Sequence, residues 1–194
     1  MTSATQHRKK DPVRIKEQLL EAAVGIAGVD GIAAISLNAV AQAAGVSKGG
    51  LLHHFPSRQA LIYAVYQRLL AIMEAKISAL IAADSEHYGC FSRAYLRYIT
   101  DMAGSQEGRQ LAVLSMAMPE ETVLRQCWRN WMLEHLEAGD EFDNSPSGTL
   151  VRYAADGIWL SELTEGETLS AEHRRQLLLE LEAMTWPGGR TPQV

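Results

Sequence analysis

The chain has 194 residues, 47% of them hydrophobic and 21% charged, long enough to bury roughly 70% of its unfolded surface without disulfide staples. Its two cysteines, Cys90 and Cys127, have no CxxC partner, which suits free thiols in a reducing cytoplasm, and no apolar run approaches the 18 or so residues of a membrane span or the core of a signal peptide. The net charge of −5 argues at first against nucleic acid, but seven of the eighteen Lys and Arg and only four of the twenty-three acids precede position 63, so a front of +3 is followed by a rear of −8. That asymmetry is expected of a chain that touches DNA with one end only.

Taken in order, residues 1–10 show no apolar periodicity. Arg8, Lys9 and Lys10 form a basic arm that either reaches a phosphate or the minor groove or is a solvated tail. Asp11 and Pro12 make a strong helix start. Ile15, Leu19, Ala22, Ala23 and Ile26 predict the buried stripe of a first helix ending near Gly28, with Gly31 at the turn into the second.

From Ser36 to Leu61 the chain reads SLNAVAQAAGVSKGGLLHHFPSRQAL. Ser36 caps a short helix whose Leu37, Val40, Ala41 and Ala44 fall at helical spacing, Gly45 ends it, and Ser47 caps a second helix carrying Leu51, Leu52 and Phe55. Helix, tight turn, helix is the arrangement that lays its second helix in the major groove of DNA. That second helix is Lys48 to His54. Gly49 and Gly50 each lower its propensity by roughly 1 kcal/mol relative to alanine. Two explanations stand: the bare backbone approaches a phosphate or base edge, or it relieves crowding against the preceding helix. Ser36 and Ser47 lie at helix N-termini that favour a phosphate, and Arg58, in the first turn of the next helix, is long enough to reach one. Lys48, the only charged residue of the reading helix, is the candidate for a guanine edge or for a phosphate. His53 and His54 are read as contacts to the DNA backbone.

The run GVSKGGLLHHFPSRQAL, from Gly45 to Leu61, resembles the tetracycline-repressor-type (TetR) family of one-component regulators, whose pattern is G-V-S-x-G-x-L-Y-x-H-F-x-S-K-x-x-L. Two places depart from it: Leu52 stands where a phosphate-contacting tyrosine is usual, and Arg58 where lysine is usual. The resemblance covers about the first third of the chain. It implies an all-α fold with a three-helix helix-turn-helix domain over residues 1–56 and a helical ligand-binding and dimerisation domain over 57–186, while Pro187, Gly188, Gly189 and Pro192 predict a disordered tail over 187–194. It also implies a cytoplasmic, non-enzymatic regulator, expected to be a repressor, that leaves a palindromic double-stranded operator when a small molecule binds.

Beyond Ser57, Leu61, Val65, Leu69, Ile72, Ile77 and Leu80 track one face of a single helix to about Ala83, roughly 40 Å long and a natural lever between two domains. A helix with Phe91, Tyr95, Leu96, Tyr98, Ile99 and Met102 follows. Gly104 and Gly108 bracket a turn, after which Leu111, Leu114 and Met116 lead to Pro119. Glu120 and Glu121 are expected in the first turn of the next helix, favourably for its dipole, and that helix carries Val123, Leu124, Trp128, Trp131, Met132 and Leu136. The loop GDEFDNSPSG isolates two last helices, near Pro146 to Leu163 and Ala171 to Met184. The first offers Leu150, Tyr153, Ala154, Gly157, Ile158 and Ser161, and the second Leu177, Leu178, Leu181 and Met184. Small residues facing leucines suit close helix packing. As in the family it resembles, this pair is expected to build a homodimer through residues of about 146–184, the alternative being an intramolecular pair.

Tyr95, Tyr98, Met102, Met116, Trp128, Trp131 and Trp159 are the candidates to line a cavity for a flat, apolar or cationic effector, although such residues also build ordinary cores. Asp156 and Glu162 either balance a cationic guest or lie at the surface or against Arg152. His87 and Cys90, helped by Cys127 or His135, make only half of a metal motif. No cofactor, GxSxG, HExxH or phosphate loop is present. The alternative reading is a helical regulator whose rear domain binds a protein partner or a metal.

Overall fold

The computed structural model describes residues 11–102, 105–117, 121–166 and 169–189. The basic arm therefore lies outside the described residues. Those described form helices α1 (Pro12–Asp30), α2 (Leu37–Ala43), α3 (Lys48–His54), α4 (Arg58–Ala83), α5 (Cys90–Asp101), α6 (Gln106–Ala117), α7 (Thr122–Ala138), α8 (Pro146–Thr164) and α9 (Ala171–Met184), with 3-10 turns at Ile32–Ala34 and Pro187–Gly189. No strand occurs among them.

The chain divides into two compact units between Val65 and Tyr66. The division falls inside α4, about two turns beyond the boundary expected at Ser57. The reason is that Leu61, Ile62 and Val65 are buried and belong to the first unit, so the opening of α4 completes its small core. In that unit the Asp11 carboxylate accepts from the amides of Val13 and Arg14 ahead of Pro12, and Leu19, Leu20, Ala23 and Ala27 are the buried stripe of α1. The helix runs through Gly28 to Asp30. Gly31, with φ of 80°, ends it, a left-handed backbone region that only glycine enters cheaply.

The second unit is organised around α5, where every residue from Phe91 to Thr100 except Arg97 is buried. It packs most extensively against α8, and Met73, Ile77, Leu111, Trp131, Phe142 and Leu181 complete the core around them. The α5 N-terminus is capped from a distance. The carboxylate of Asp140 accepts from the Gly89 amide at 2.8 Å and that of Asp143 from the Ser92 amide at 2.8 Å. The acidic loop is thus a helix cap whose negative charge suits the positive end of the α5 dipole. Arg93, fully buried, donates to Asp84 Oδ2 at 2.7 Å and to the carbonyls of Glu86, Tyr88 and Thr185, with the Trp186 ring 4.1 Å from its guanidinium carbon.

Three expectations change here. The tail does not become irregular at 187, because Arg93 anchors Thr185 and Trp186 and the turn Pro187–Gly189 follows; residues 190–194 lie outside the described residues. Gly108 is inside α6 rather than in a turn, and a Cβ there would stand 2.4 Å from the Met102 carbonyl oxygen. Glu121 is the N-cap of α7, not part of its first turn; residue 120 is not described.

Candidate functional site

In the first unit, α2 and α3 are held as a helix-turn-helix by short-range bonds. Ser36 Oγ accepts from the Ala39 amide and Ser47 Oγ from the Gly50 amide, both at 3.1 Å. Gly45, with φ of 65°, makes the turn, and Val46 returns its amide to the Ala41 carbonyl at 2.9 Å. Leu51 and Phe55 are buried, whereas Ser36, Ser47, Lys48, Gly49 and His53 are exposed and Gly50 and His54 half-buried. The caps use the serine oxygens as acceptors, which leaves each hydroxyl hydrogen available to donate to a phosphate. Leu52 is exposed and carries no polar atom for that purpose.

The two glycines part company. A Cβ on Gly50 would stand 2.9 Å from Val46 Cγ1 and 3.2 Å from Ser47 Oγ, so a side chain there would have to displace one of these two; around Gly49 nothing lies within 4 Å.

Arg58 makes two bonds within the unit itself. Its Nε donates to the Ile35 carbonyl at 2.7 Å and its Nη2 to the Ile32 carbonyl at 2.8 Å. The side chain clamps the start of α4 to the 3-10 turn that precedes α2. The signal was the departure from lysine: a planar guanidinium donates two directed bonds to two carbonyls, which an ammonium cannot match.

In the second unit, a cavity of about 320 Å³ is walled by Tyr95 and Ile99 of α5, Leu111, Ala112 and Ser115 of α6, Trp128 of α7, and Asp156, Trp159 and Leu160 of α8. The Tyr95 hydroxyl donates to Asp156 Oδ1 at 2.7 Å. Burial pushes the Asp156 carboxyl up to about 6, against the lowering influence of the Tyr95 hydrogen bond and the Arg152 charge. Trp159 is buried and its Nε1 has no hydrogen-bond partner among the described residues. Burial raises the Tyr95 phenol as well, with the Asp156 charge adding to it, so this hydroxyl stays a donor.

The other expected lining residues lie elsewhere. Tyr98 and Met102 line a second cavity of about 440 Å³ with Lys76, Leu80 and Asp101. Trp131 is core: its Nε1 donates to Glu74 Oε2 at 2.6 Å, and its ring lies 4.2 Å from that of His135. The side chain of Met116 lies outside the described residues. Glu162 pairs with Arg174. Arg152 turns away from Asp156, donating to Ser92 Oγ at 2.6 Å and the Asp143 carbonyl at 2.9 Å. Asp156 is the wall residue that sequence weighed least; its place three residues before Trp159, on the same side of α8, was the available sign. Among the described residues no three His, Cys, Asp or Glu side chains gather as a metal site, and no helix is long and apolar enough to cross a membrane.

An all-helical chain with an exposed helix-turn-helix in one unit and an aromatic cavity in the other has the two parts of a ligand-binding transcription regulator. The sequence profile of bacterial regulatory proteins of the tetR family matches residues 19–65, and that of the tetracyclin repressor-like C-terminal domain matches residues 89–186. The chain belongs to the TetR family, and it is a DNA-binding transcription regulator rather than an enzyme. Its fold is similar to that of the multidrug binding protein EbrR complexed with imidazole, at 23% identity over 93% of this chain and 97% of that one, TM-score 0.66. The EbrR complex with ethidium matches at 21% identity over 90% and 99%, TM-score 0.64. NalD of Pseudomonas aeruginosa, the secondary repressor of the MexAB-OprM multidrug efflux pump, matches at 19% identity over 88% and 95%, TM-score 0.63.

Proposed function

We propose that the protein is a homodimeric repressor that holds a palindromic operator through α3 and releases it when a small apolar or cationic molecule fills the cavity walled by Tyr95, Trp128 and Trp159. The observation that carries the reading is that cavity: about 320 Å³, within the size range of small-molecule sites, with aromatic walls and a few convergent polar groups. Ser36, Ser47 and Lys48 position the protein on phosphates or read a base, Gly49 admits the closest backbone approach, and His53 and His54 face the DNA backbone. EbrR and NalD, a multidrug binding protein and a repressor by their descriptions, support an effector of this kind and a repressing role.

Dimerisation is supported by α8. Leu150 and Tyr153 are 56% and 71% exposed in the single chain, Leu160 is also exposed, and a Cβ at Gly157 would meet nothing within 4 Å. Positions 150, 153, 157 and 160 share one helix face, an apolar strip of the kind that a two-fold partner covers. Leu178 and Leu181, by contrast, pack into the subunit's own core.

The test has two stages. Sequencing genomic DNA retained by the purified protein yields the operator, and fluorescence anisotropy then follows its release by non-intercalating lipophilic cations and neutral aromatics. Release from the wild type but not from Ser115→Trp, which fills the cavity, is the expected result. Equal release from both would remove the cavity from the mechanism.

A further inference from the structure

We propose that Asp156 is the counter-ion for an aromatic monocation bound in the Tyr95–Trp128–Trp159 cavity, and that under acidic conditions, where the carboxyl is protonated, entry of the cation releases its proton to solvent. The inference rests on the reading of that cavity as the effector site and narrows the effector to one charge class.

The Asp156 carboxyl lies among groups from four helices. From α5 it receives one hydrogen bond, from the Tyr95 hydroxyl at 2.7 Å. From α6 and α7 the cavity wall offers Ser115 and Trp128, and from α8 Trp159 and Leu160, none of them charged. Tyr66 of α4, buried, influences the site only through Tyr95. Among the described residues the fixed cation acting on Asp156 is Arg152, a turn earlier on α8. Its guanidinium is directed to Ser92, Asp143 and Thr149 and lies 5.6 Å from the centre of the Phe91 ring.

Asp156 is therefore a carboxyl in aromatic surroundings without an ion-pair partner among the described residues. Two ways exist to relieve such a group: it takes up a proton, or it acquires a cation. In the free protein the first prevails below about pH 6. A guest with a fixed positive charge supplies the second, and the aromatic lining of Tyr95, Trp128 and Trp159 is of the kind that attracts the same charge through ring quadrupoles. The neutral carboxylic acid has less to offer a cation, so binding and deprotonation are linked. For a permanently charged guest, affinity rises with pH through the carboxyl's titration near 6 and levels off above it. About one tenth of the carboxyl is ionised one unit below that value, so affinity at pH 5 should be about tenfold weaker than at pH 7.5.

The probes are N-methylacridinium, a flat permanent cation, and acridone, a flat neutral tricycle. Their dissociation constants are measured on the full chain without DNA, at pH 5 and pH 7.5, by tryptophan quenching and calorimetry. Expected are tighter binding of the cation at pH 7.5, release of a proton on its binding at pH 5, and no such dependence for acridone. Asp156→Asn, which keeps the shape, should weaken the cation at least tenfold at pH 7.5, remove its pH dependence and spare acridone. Tyr95→Phe, which deletes the donor, should move the midpoint of the pH profile upward. The inference is overturned if Asp156→Asn leaves the cation's affinity and pH profile unchanged, or if the wild type shows no saturable binding of the cation at pH 7.5. If Ser115→Trp leaves both probes bound, the effector-cavity reading falls and takes this one with it. Loss of both probes in Ser115→Trp with no effect of Asp156→Asn keeps the cavity and removes the counter-ion.

Discussion

The two units of this protein hold their polar groups in opposite ways. In the first, the contacts that cap the helices are local: Ser36 to Ala39, Ser47 to Gly50, Asp11 to Val13. In the second, the decisive contacts span the chain. Arg93 reaches Thr185, Asp143 reaches Ser92, and Tyr95 reaches Asp156. A unit built from local caps displays its functional atoms on its surface, whereas one built from distant buried pairs encloses them. A long-range contact of the first unit is that of Arg58, whose bonds to Ile32 and Ile35 cross more than twenty positions.

The largest way to break this comparison is Arg93→Met. It leaves Asp84 and the carbonyls of Glu86, Tyr88 and Thr185 without their buried donor. A loss of about 3–5 kcal/mol is expected, read by denaturant unfolding of the second unit. Burial alone would raise the Asp84 carboxyl, but the Arg93 hydrogen bond, the Glu86 amide and the nearby guanidinium charges hold it below its ordinary value of 3.8. Its contribution is thus complete above the unfolded-state value and is lost as pH falls through the depressed folded one. The wild type should show that acid loss and Arg93→Met should not.

Next is the α8 face. Leu150→Glu combined with Tyr153→Glu should leave each unit folded, because both side chains are exposed in the single chain. Sedimentation should show monomers, with operator affinity reduced about a hundredfold, roughly 3 kcal/mol. An unchanged dimer would move the interface away from this face.

Arg58→Lys sharpens the distinction between holding the fold and holding DNA. Loss of the two-carbonyl clamp should cost about 1–3 kcal/mol of stability in the first unit and leave the salt dependence of operator binding unchanged. Lys48→Ala should do the reverse. It should spare stability while either lowering the salt slope by about one per subunit or losing about 1–3 kcal/mol on the operator alone. Salt titrations on operator and scrambled DNA separate the outcomes.

The smallest effect is the most discriminating. Gly49→Ala should stabilise α3 by up to about 1 kcal/mol, since the new methyl enters open space, yet it should weaken operator binding. Gly50→Ala should destabilise instead, because its methyl meets Val46 and Ser47. If Gly49→Ala stabilises the protein and binds the operator as before, no close DNA approach occurs there.

How much could be read in advance differs between the units for the same reason. The starts of the helices that carry a side-chain cap were legible, at Asp11, Ser36, Ser47, Ser145 and Ser170, because a cap is a signal within four residues, whereas α6 and α7 begin elsewhere than expected. Of the expected cavity residues, Tyr95, Trp128 and Trp159 line one cavity while Tyr98 and Met102 line another and Trp131 fills the core. Aromatic residues at helical spacing share the same periodicity whether they face a cavity or a neighbour, so composition alone could not sort them.

By itself the sequence determined the all-helical class, the helix-turn-helix with its capping serines, and the regulator family, because each rests on residues a few positions apart whose backbone preferences act locally. The tertiary structure alone decided that Arg58 clamps two carbonyls, that Gly50 is crowded by Val46 and Ser47 while Gly49 is open, that the acidic loop caps α5, and that Asp156 faces an aromatic cavity with Arg152 turned elsewhere. Those outcomes depend on which distant groups satisfy one another once water is excluded, and burial and hydrogen-bond partnership are properties of the packed chain, not of any stretch of it.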